Sequence, residues 1–174
     1  MLKVILLSVF LTMSPAVASI YSYQLDAANG SIIRFNDYRS KKILLVNIAS
    51  NSQQVQQLTA LQQLYVQNQD SLVIVAFPSN SFGYESRSDS EIVVFAQELG
   101  ISFPIAAKMD VNGPSANPVY KWLANKYLND AVNAKVKTDF QKYLIDSKGR
   151  LVGQFDSSVH PLDSLLLNAV HRFR

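Results

Sequence analysis

The sequence predicts an α/β domain: a parallel strand–helix–strand half followed by an antiparallel hairpin and a closing helix, with the strands in one central mixed sheet. Three observations carry this reading. Two nearly unbroken apolar, β-branched runs, 43–48 and 72–77, have the pattern of strands buried on both faces. Between them Val55, Leu58, Leu61, Leu64 and Tyr65 recur at helical spacing, so a helical crossover joins the two strands and they run parallel. Near the C-terminus, runs at 142–145 and 151–155 flank Asp146-Ser147-Lys148-Gly149, the signature of a hairpin.

The elements follow in chain order. Met1-Leu2-Lys3, an apolar run from Val4 to Met13 and the small-x-small sequence Ala16-Val17-Ala18 read as a secretory signal peptide over residues 1–18. A membrane anchor fits less well, because Ser14-Pro15 closes the run at about half of the ~20 residues that span a bilayer. Residues 19–174 then form one domain, expected to be exported, periplasmic if the source is Gram-negative and otherwise secreted, with no stable membrane insertion after cleavage. Ile20 to Leu25 and Ser31 to Phe35 surround Ala28-Asn29-Gly30, an N-terminal β-hairpin. The strand at 43–48 leads into a helix expected to begin near Gln53, capped by Ser50, Asn51 or Ser52, with Ser50-x-x-Gln53 in the capping-box pattern. From Ile43 to Gln69 there is no charged side chain, so this Gln-rich helix presents either a neutral solvent face or a contact surface. Pro78 ends the second strand. Ser88-x-x-Glu91 opens a helix to Leu99 that Gly100 is placed to terminate. A short extended segment is expected at 105–108, Asn117-Pro118 starts a helix carrying Trp122 into the core, and Pro161 starts the last helix. This order is thioredoxin-like topology: a central mixed β-sheet flanked by helices, with a hairpin in front.

Composition limits the function classes. The chain has 174 residues, 48% hydrophobic and 17% charged, enough for one sizeable core. It has no cysteine, so disulfides, thiol redox switching and thiolate metal ligation are excluded. Its +3 net charge is scattered in pairs such as Lys41-Lys42 and in Lys135/Lys137, not gathered into the basic face that nucleic-acid binding calls for. The two histidines, His160 and His171, lie near the C-terminus and read as surface or capping groups. With no compact carboxylate cluster beside them, no transition-metal site is expected. Asp110-Val111-Asn112-Gly113 lacks the alternating oxygen ligands of a calcium loop.

Four ordered motifs carry a family resemblance. Val46-Asn47-Ile48-Ala49-Ser50-Asn51-Ser52 matches V-N-V-A-S-x-C, and Phe77-Pro78-Ser79-Asn80-Ser81-Phe82-Gly83 matches F-P-C-N-Q-F-G. Asp110-Val111-Asn112-Gly113 matches D-V-N-G, and Thr138-Asp139-Phe140-Gln141-Lys142-Tyr143-Leu144 aligns with W-N-F-x-K-F-L. The mature chain thus resembles the glutathione peroxidase family throughout. That resemblance implies a glutathione- or thioredoxin-dependent peroxidase, in which a cysteine or selenocysteine is assisted by a glutamine and by the Trp-Asn pair. Here the sulfur position is Ser52, the glutamine position is Glu85 or a deletion beside it, and the Trp-Asn pair has become Thr138 and Asp139. Peroxide reduction needs a nucleophile that accepts oxygen and hands it to a thiol, which a thiolate does and a serine hydroxyl does not.

The expectation is therefore a degenerate member that has lost peroxidase activity and acts as a binding or structural pseudoenzyme, with no cofactor. Ser52, Asn80 and Asp139 are the candidate ligand-binding residues, for an unidentified protein or a small polar or anionic group held at the N-terminus of the helix after Ser50. The alternative is a working thiol-dependent peroxidase in the oxidative-stress response. A hydrolase using Ser52 lacks both a base nearby in the sequence and the Gly-x-Ser-x-Gly elbow. The interval between Trp122 and Asp139 leaves little room for the insertion that the family's tetrameric members carry, which implies a monomer or dimer.

Overall fold

The computed structural model of the protein describes residues 18–172; the expected leader lies almost wholly outside them. The chain opens with a two-stranded antiparallel hairpin, β1 (Gln24–Asp26) and β2 (Ile32–Arg34), turned at Gly30 with φ of +80°, a conformation open to glycine without a Cβ penalty. The main sheet has four strands in the order β4-β3-β5-β6, made of β3 (Lys42–Ile48), β4 (Leu72–Pro78), β5 (Lys142–Ile145) and β6 (Leu151–Phe155). β3 pairs parallel to β4 and antiparallel to β5, and β5 pairs antiparallel to β6. The mixed thioredoxin-like sheet is thus present as the sequence predicts.

Period-two alternation divides the core between the two faces of this sheet. Ile43, Leu45, Val73, Val75 and Phe77 meet the hairpin and α3 (Pro118–Leu123), whose Trp122 is fully buried. Leu44, Val46, Ile74 and Ala76 meet Leu58, Leu61 and Leu64 of α1 (Gln57–Asn68) and Leu166 and Val170 of α5 (Ser164–Arg172). Each of these Val, Leu and Ile side chains contributes about 1.5–3 kcal/mol by leaving water.

Local signals set most boundaries. Ser88 and Glu91 form the reciprocal capping box of α2 (Asp89–Glu98), and Gly100 follows it with φ of +66°. Asn117 accepts from the Val119 amide to cap α3. A further short helix, α4 (Lys126–Asn129), is closed by Asp130 in the left-handed region. The extended segment near 105–108 is reduced to isolated bridges, Ala27 with Ala106 and Ala76 with Ile105. In the β5–β6 turn Asp146 accepts from the Lys148 and Arg150 amides and from the Arg150 guanidinium at 2.6 Å. Burial pushes its carboxyl pKa up, but those bonds outweigh it and hold the pKa below its usual value.

Two helix starts differ from the sequence expectation. α1 begins at Gln57, not near Gln53, because residues 51–56 fold as successive tight turns. The Ser50 capping box does not form, since the Ser50 hydroxyl is taken by Glu85 at 2.8 Å. α5 begins at Ser164, not at Pro161, where His160 and Asp163 first close a turn through the His160 amide.

Candidate functional site

Ser52 lies just beyond the C-terminal end of β3, where open α/β sheets place their ligand crevices. It is 6% exposed. Its amide donates to the Ala49 carbonyl and its hydroxyl accepts from the Gln54 amide at 3.0 Å. Val55 donates to the Ser52 carbonyl, Gln57 to Gln54 and Leu58 to Val55. The backbone N–H groups that would cradle an anion are thus largely spent inside the turns. This arrangement corrects the expectation of a ready anion site at the start of the helix.

Ser52 lines a polar depression of about 170 Å³ together with Gln53, Gln54, Tyr84, Thr138, Asp139 and Ser157. The structure therefore brings Ser52, Thr138 and Asp139, three of the positions the sequence motifs single out, around one concavity. The Thr138 segment is held by Asn47 of β3, whose side-chain amide donates to the Thr138 carbonyl at 2.9 Å and whose carbonyl accepts from the Phe140 amide at 2.6 Å. Phe140 takes a φ of +55°, a conformation that costs a bulky residue of order 1–3 kcal/mol and that clusters at functional sites.

The two acidic side chains near Ser52 have opposite environments. Glu85 is 1% exposed; it accepts from the Ser50 amide at 2.8 Å, the Ser50 hydroxyl at 2.8 Å and the Arg87 amide at 3.0 Å. It clamps the loop after β4 to the loop after β3 and is outside the depression. Asp139 is 6% exposed; its Oδ1 accepts from the Thr138 hydroxyl at 3.0 Å, while its buried Oδ2 accepts nothing. Asn80, grouped with Ser52 and Asp139 on the sequence, stands exposed in a turn, where its side chain accepts from the Glu85 amide. It supports the clamp and does not line the concavity.

No histidine lines the depression. The His160 ring accepts from the Leu162 amide and His171 meets Asn68, so the Ser52 hydroxyl has no histidine base beside it for nucleophilic work. Among the described residues no three His, Cys, Asp or Glu side chains cluster to hold a metal ion. The sequence reading also missed Tyr84 and Ser157, which no local pattern marks, and the fully buried Lys142. Lys142 donates to the Phe140 carbonyl at 2.9 Å, and burial pushes its ammonium pKa down to about 8 against a small upward pull from Asp163.

Comparison with known proteins decides the family. The sequence model for glutathione peroxidase matches residues 20–124. The chain belongs to the glutathione peroxidase family. Among similar proteins, the glutathione peroxidase-like peroxiredoxin 2 of Saccharomyces cerevisiae is 36% identical over 146 residues, 82% of this chain and 90% of the yeast protein. The hydroperoxy fatty acid reductase of Synechocystis sp. is 33% identical over 153 residues, 82% of this chain and 89% of the relative. The apo-form crystal structure of Trgpx superposes with a TM-score of 0.68 at 25% identity, covering 90% of this chain and 95% of that one. A thioredoxin-family thiol:disulfide interchange protein from Chlorobium tepidum, at TM-score 0.64 and 11% identity over 91% of this chain and 99% of its own, shares the fold. The match to the glutathione peroxidase model ends before Thr138 and Asp139.

Proposed function

We propose that this glutathione peroxidase family protein is not a peroxidase and acts by binding, through the depression around Ser52. The observation that carries the reading is a peroxidatic position occupied by serine in a chain with no cysteine. A hydroxyl has no accessible counterpart of the thiolate–sulfenate cycle, and no other side chain here supplies it. The chemistry around it also differs from the family motif, with Thr138 and Asp139 aligned at the Trp-Asn positions.

The proposal includes export, with the leader cut near Ala18. Processing after Ala18 removes the carbonyl that accepts from the Trp122 indole at 2.6 Å, a loss of about 1 kcal/mol. A protein partner on the charge-free face of α1 remains the competing binding mode. Some of that face is already committed: Gln57 donates to the Ser157 carbonyl, and Gln62 exchanges two hydrogen bonds with Ser102.

The names of its relatives favour a second reading, a thiol-dependent peroxidase of the oxidative-stress response. Turnover would then require a metal or cofactor to carry the oxidation. The discriminating experiment is hydroperoxide consumption by the metal-free mature protein with glutathione and with thioredoxin as reductants. A rate equal to the uncatalysed background supports the binding reading. Saturable consumption overturns it.

A further inference from the structure

We infer that the depression at Ser52 selects a primary ammonium group, and that Asp139 is the residue that selects it. This inference rests on the binding reading of the same site and names the ligand chemistry.

Charge is the first argument. Of the seven lining residues, Asp139 is the only one with an ionisable acid or base, apart from the Tyr84 phenol, and no lysine or arginine reaches the concavity. An anion entering it would face a carboxylate with no compensating cation. Hydrogen-bond capacity is the second. Asp139 Oδ2 is buried and accepts nothing, although its partner Oδ1 is held by Thr138. A carboxylate oxygen taken out of water without a donor is costly, and a ligand that brings donors relieves that cost. The backbone amides of Ser52, Gln54, Val55 and Gln57 are turned inward on Ala49, Ser52 and Gln54, which leaves little donor capacity for an anion.

Shape and surroundings supply the rest. A concavity of about 170 Å³ suits an ammonium and the first carbons of its chain, not a folded cofactor. Tyr84, half exposed at the rim, offers an aromatic face to a cation. The Ser52 hydroxyl already accepts from Gln54 and retains its own proton as a donor. An ammonium has three donors and no acceptor, which matches a lining whose unspent capacity is the Asp139 carboxylate. The group could arrive on a free amine or on the side chain of a lysine in a partner protein.

The test is a titration of the isotopically labelled mature protein, followed through its backbone amide resonances. The probes are methylammonium chloride, Nα-acetyl-lysine N-methylamide and, as the anionic counterpart, sodium acetate at matched ionic strength. Both amines should shift the amides of Gln54, Tyr84 and Asp139 with dissociation constants of about 1–10 mM, the range of a single charge-assisted contact. Tighter binding of the lysine derivative assigns the natural group to a protein partner, and equal binding assigns it to a free amine. Acetate should leave these amides unmoved. Asp139→Asn should weaken both amines at least tenfold, its fold verified in the same spectra, and Tyr84→Ala at the exposed rim should weaken them a few-fold. The inference is overturned if neither amine shifts the site, if acetate shifts it equally, or if Asp139→Asn binds as well as the natural chain. None of these outcomes depends on peroxide turnover, so failure here and failure of the non-peroxidase reading are separable.

Discussion

Glu85 and Asp139 are both buried carboxylates near Ser52, and both stand where the family resemblance places uncharged reaction partners, yet they have become different things. Glu85 has three donors on its two oxygens and ties the loop after β3 to the loop after β4. Asp139 has a single hydroxyl donor and one oxygen left empty. A satisfied buried charge can hold a structure together, whereas an unsatisfied one is carried at a cost in stability and is better explained by a ligand. The comparison separates scaffold from candidate site: Glu85 is a satisfied clamp and Asp139 keeps a buried acceptor without a partner.

The largest expected effect breaks the clamp. Glu85→Ala leaves the part-buried Ser50 and Arg87 amides without their acceptor and should destabilise the fold by about 2–3 kcal/mol in chemical denaturation. Glu85→Gln, which keeps one acceptor oxygen, should cost about half as much. A loss below 1 kcal/mol for the alanine variant would show that the two loops are held by other means.

Lys142 gives the next largest effect and sharpens the point about buried charge. Its folded pKa, about 8, lies below the ordinary 10.5. Above pH 8 the folded protein therefore holds fewer protons than the unfolded chain, and stability rises as pH rises from about 8 towards 10.5; below pH 8 the full penalty persists. Lys142→Met should stabilise the protein by about 2 kcal/mol at pH 7, allowing for the lost bond to the Phe140 carbonyl. It should also flatten the pH dependence measured between pH 7.5 and 10. Tyr120 and Tyr143, whose phenols burial raises above the usual value, oppose the trend only above about pH 10, where the unfolded chain begins to ionise. A Lys142→Met protein less stable than the natural one at pH 7 would refute this account of the lysine.

Asp139→Asn should have the smallest effect on stability. It removes an unpaired buried charge while keeping an acceptor for Thr138, so denaturation should show a change within about 1 kcal/mol, in the stabilising direction. The contrast with Glu85→Ala is the point: one carboxylate is needed for the fold and the other is not. Destabilisation of 2 kcal/mol or more would place Asp139 in the scaffold beside Glu85.

How much of this was legible in the sequence follows from the range of the signals. The Asn29-Gly30 turn, the Ser88/Glu91 box, the Asn117-Pro118 start and the Asp146–Gly149 turn act within a few residues, and the structure has them where the sequence predicts. The two buried runs likewise became β3 and β4. The start of α1 was misplaced because Ser50, a good cap by composition, is claimed by Glu85 from thirty-five positions away. That bond depends on tertiary packing, which overrides a local preference. Asn80 looked like a site residue by its motif but faces solvent and serves the Glu85 clamp. The burial of Lys142 follows from strand alternation, which sets it on the same sheet face as Leu144, though a lysine there reads as exposed on composition alone. Ser52, Thr138 and Asp139 were found through the motifs, and their meeting around one depression is a product of the fold.

The most direct test of the central claim, that this site no longer supports sulfur-type oxygen transfer, compares hydroperoxide consumption by the natural chain, Ser52→Cys and Ser52→Cys/Asp139→Asn, with thioredoxin and glutathione as reductants. The account predicts background rates for the natural chain and only slow turnover for Ser52→Cys, because the carboxylate beside the introduced thiol disfavours its thiolate. The double variant should be about tenfold faster than Ser52→Cys, equivalent to one pKa unit. Saturable turnover by the natural chain, or a Ser52→Cys protein as fast as the double variant, would contradict it.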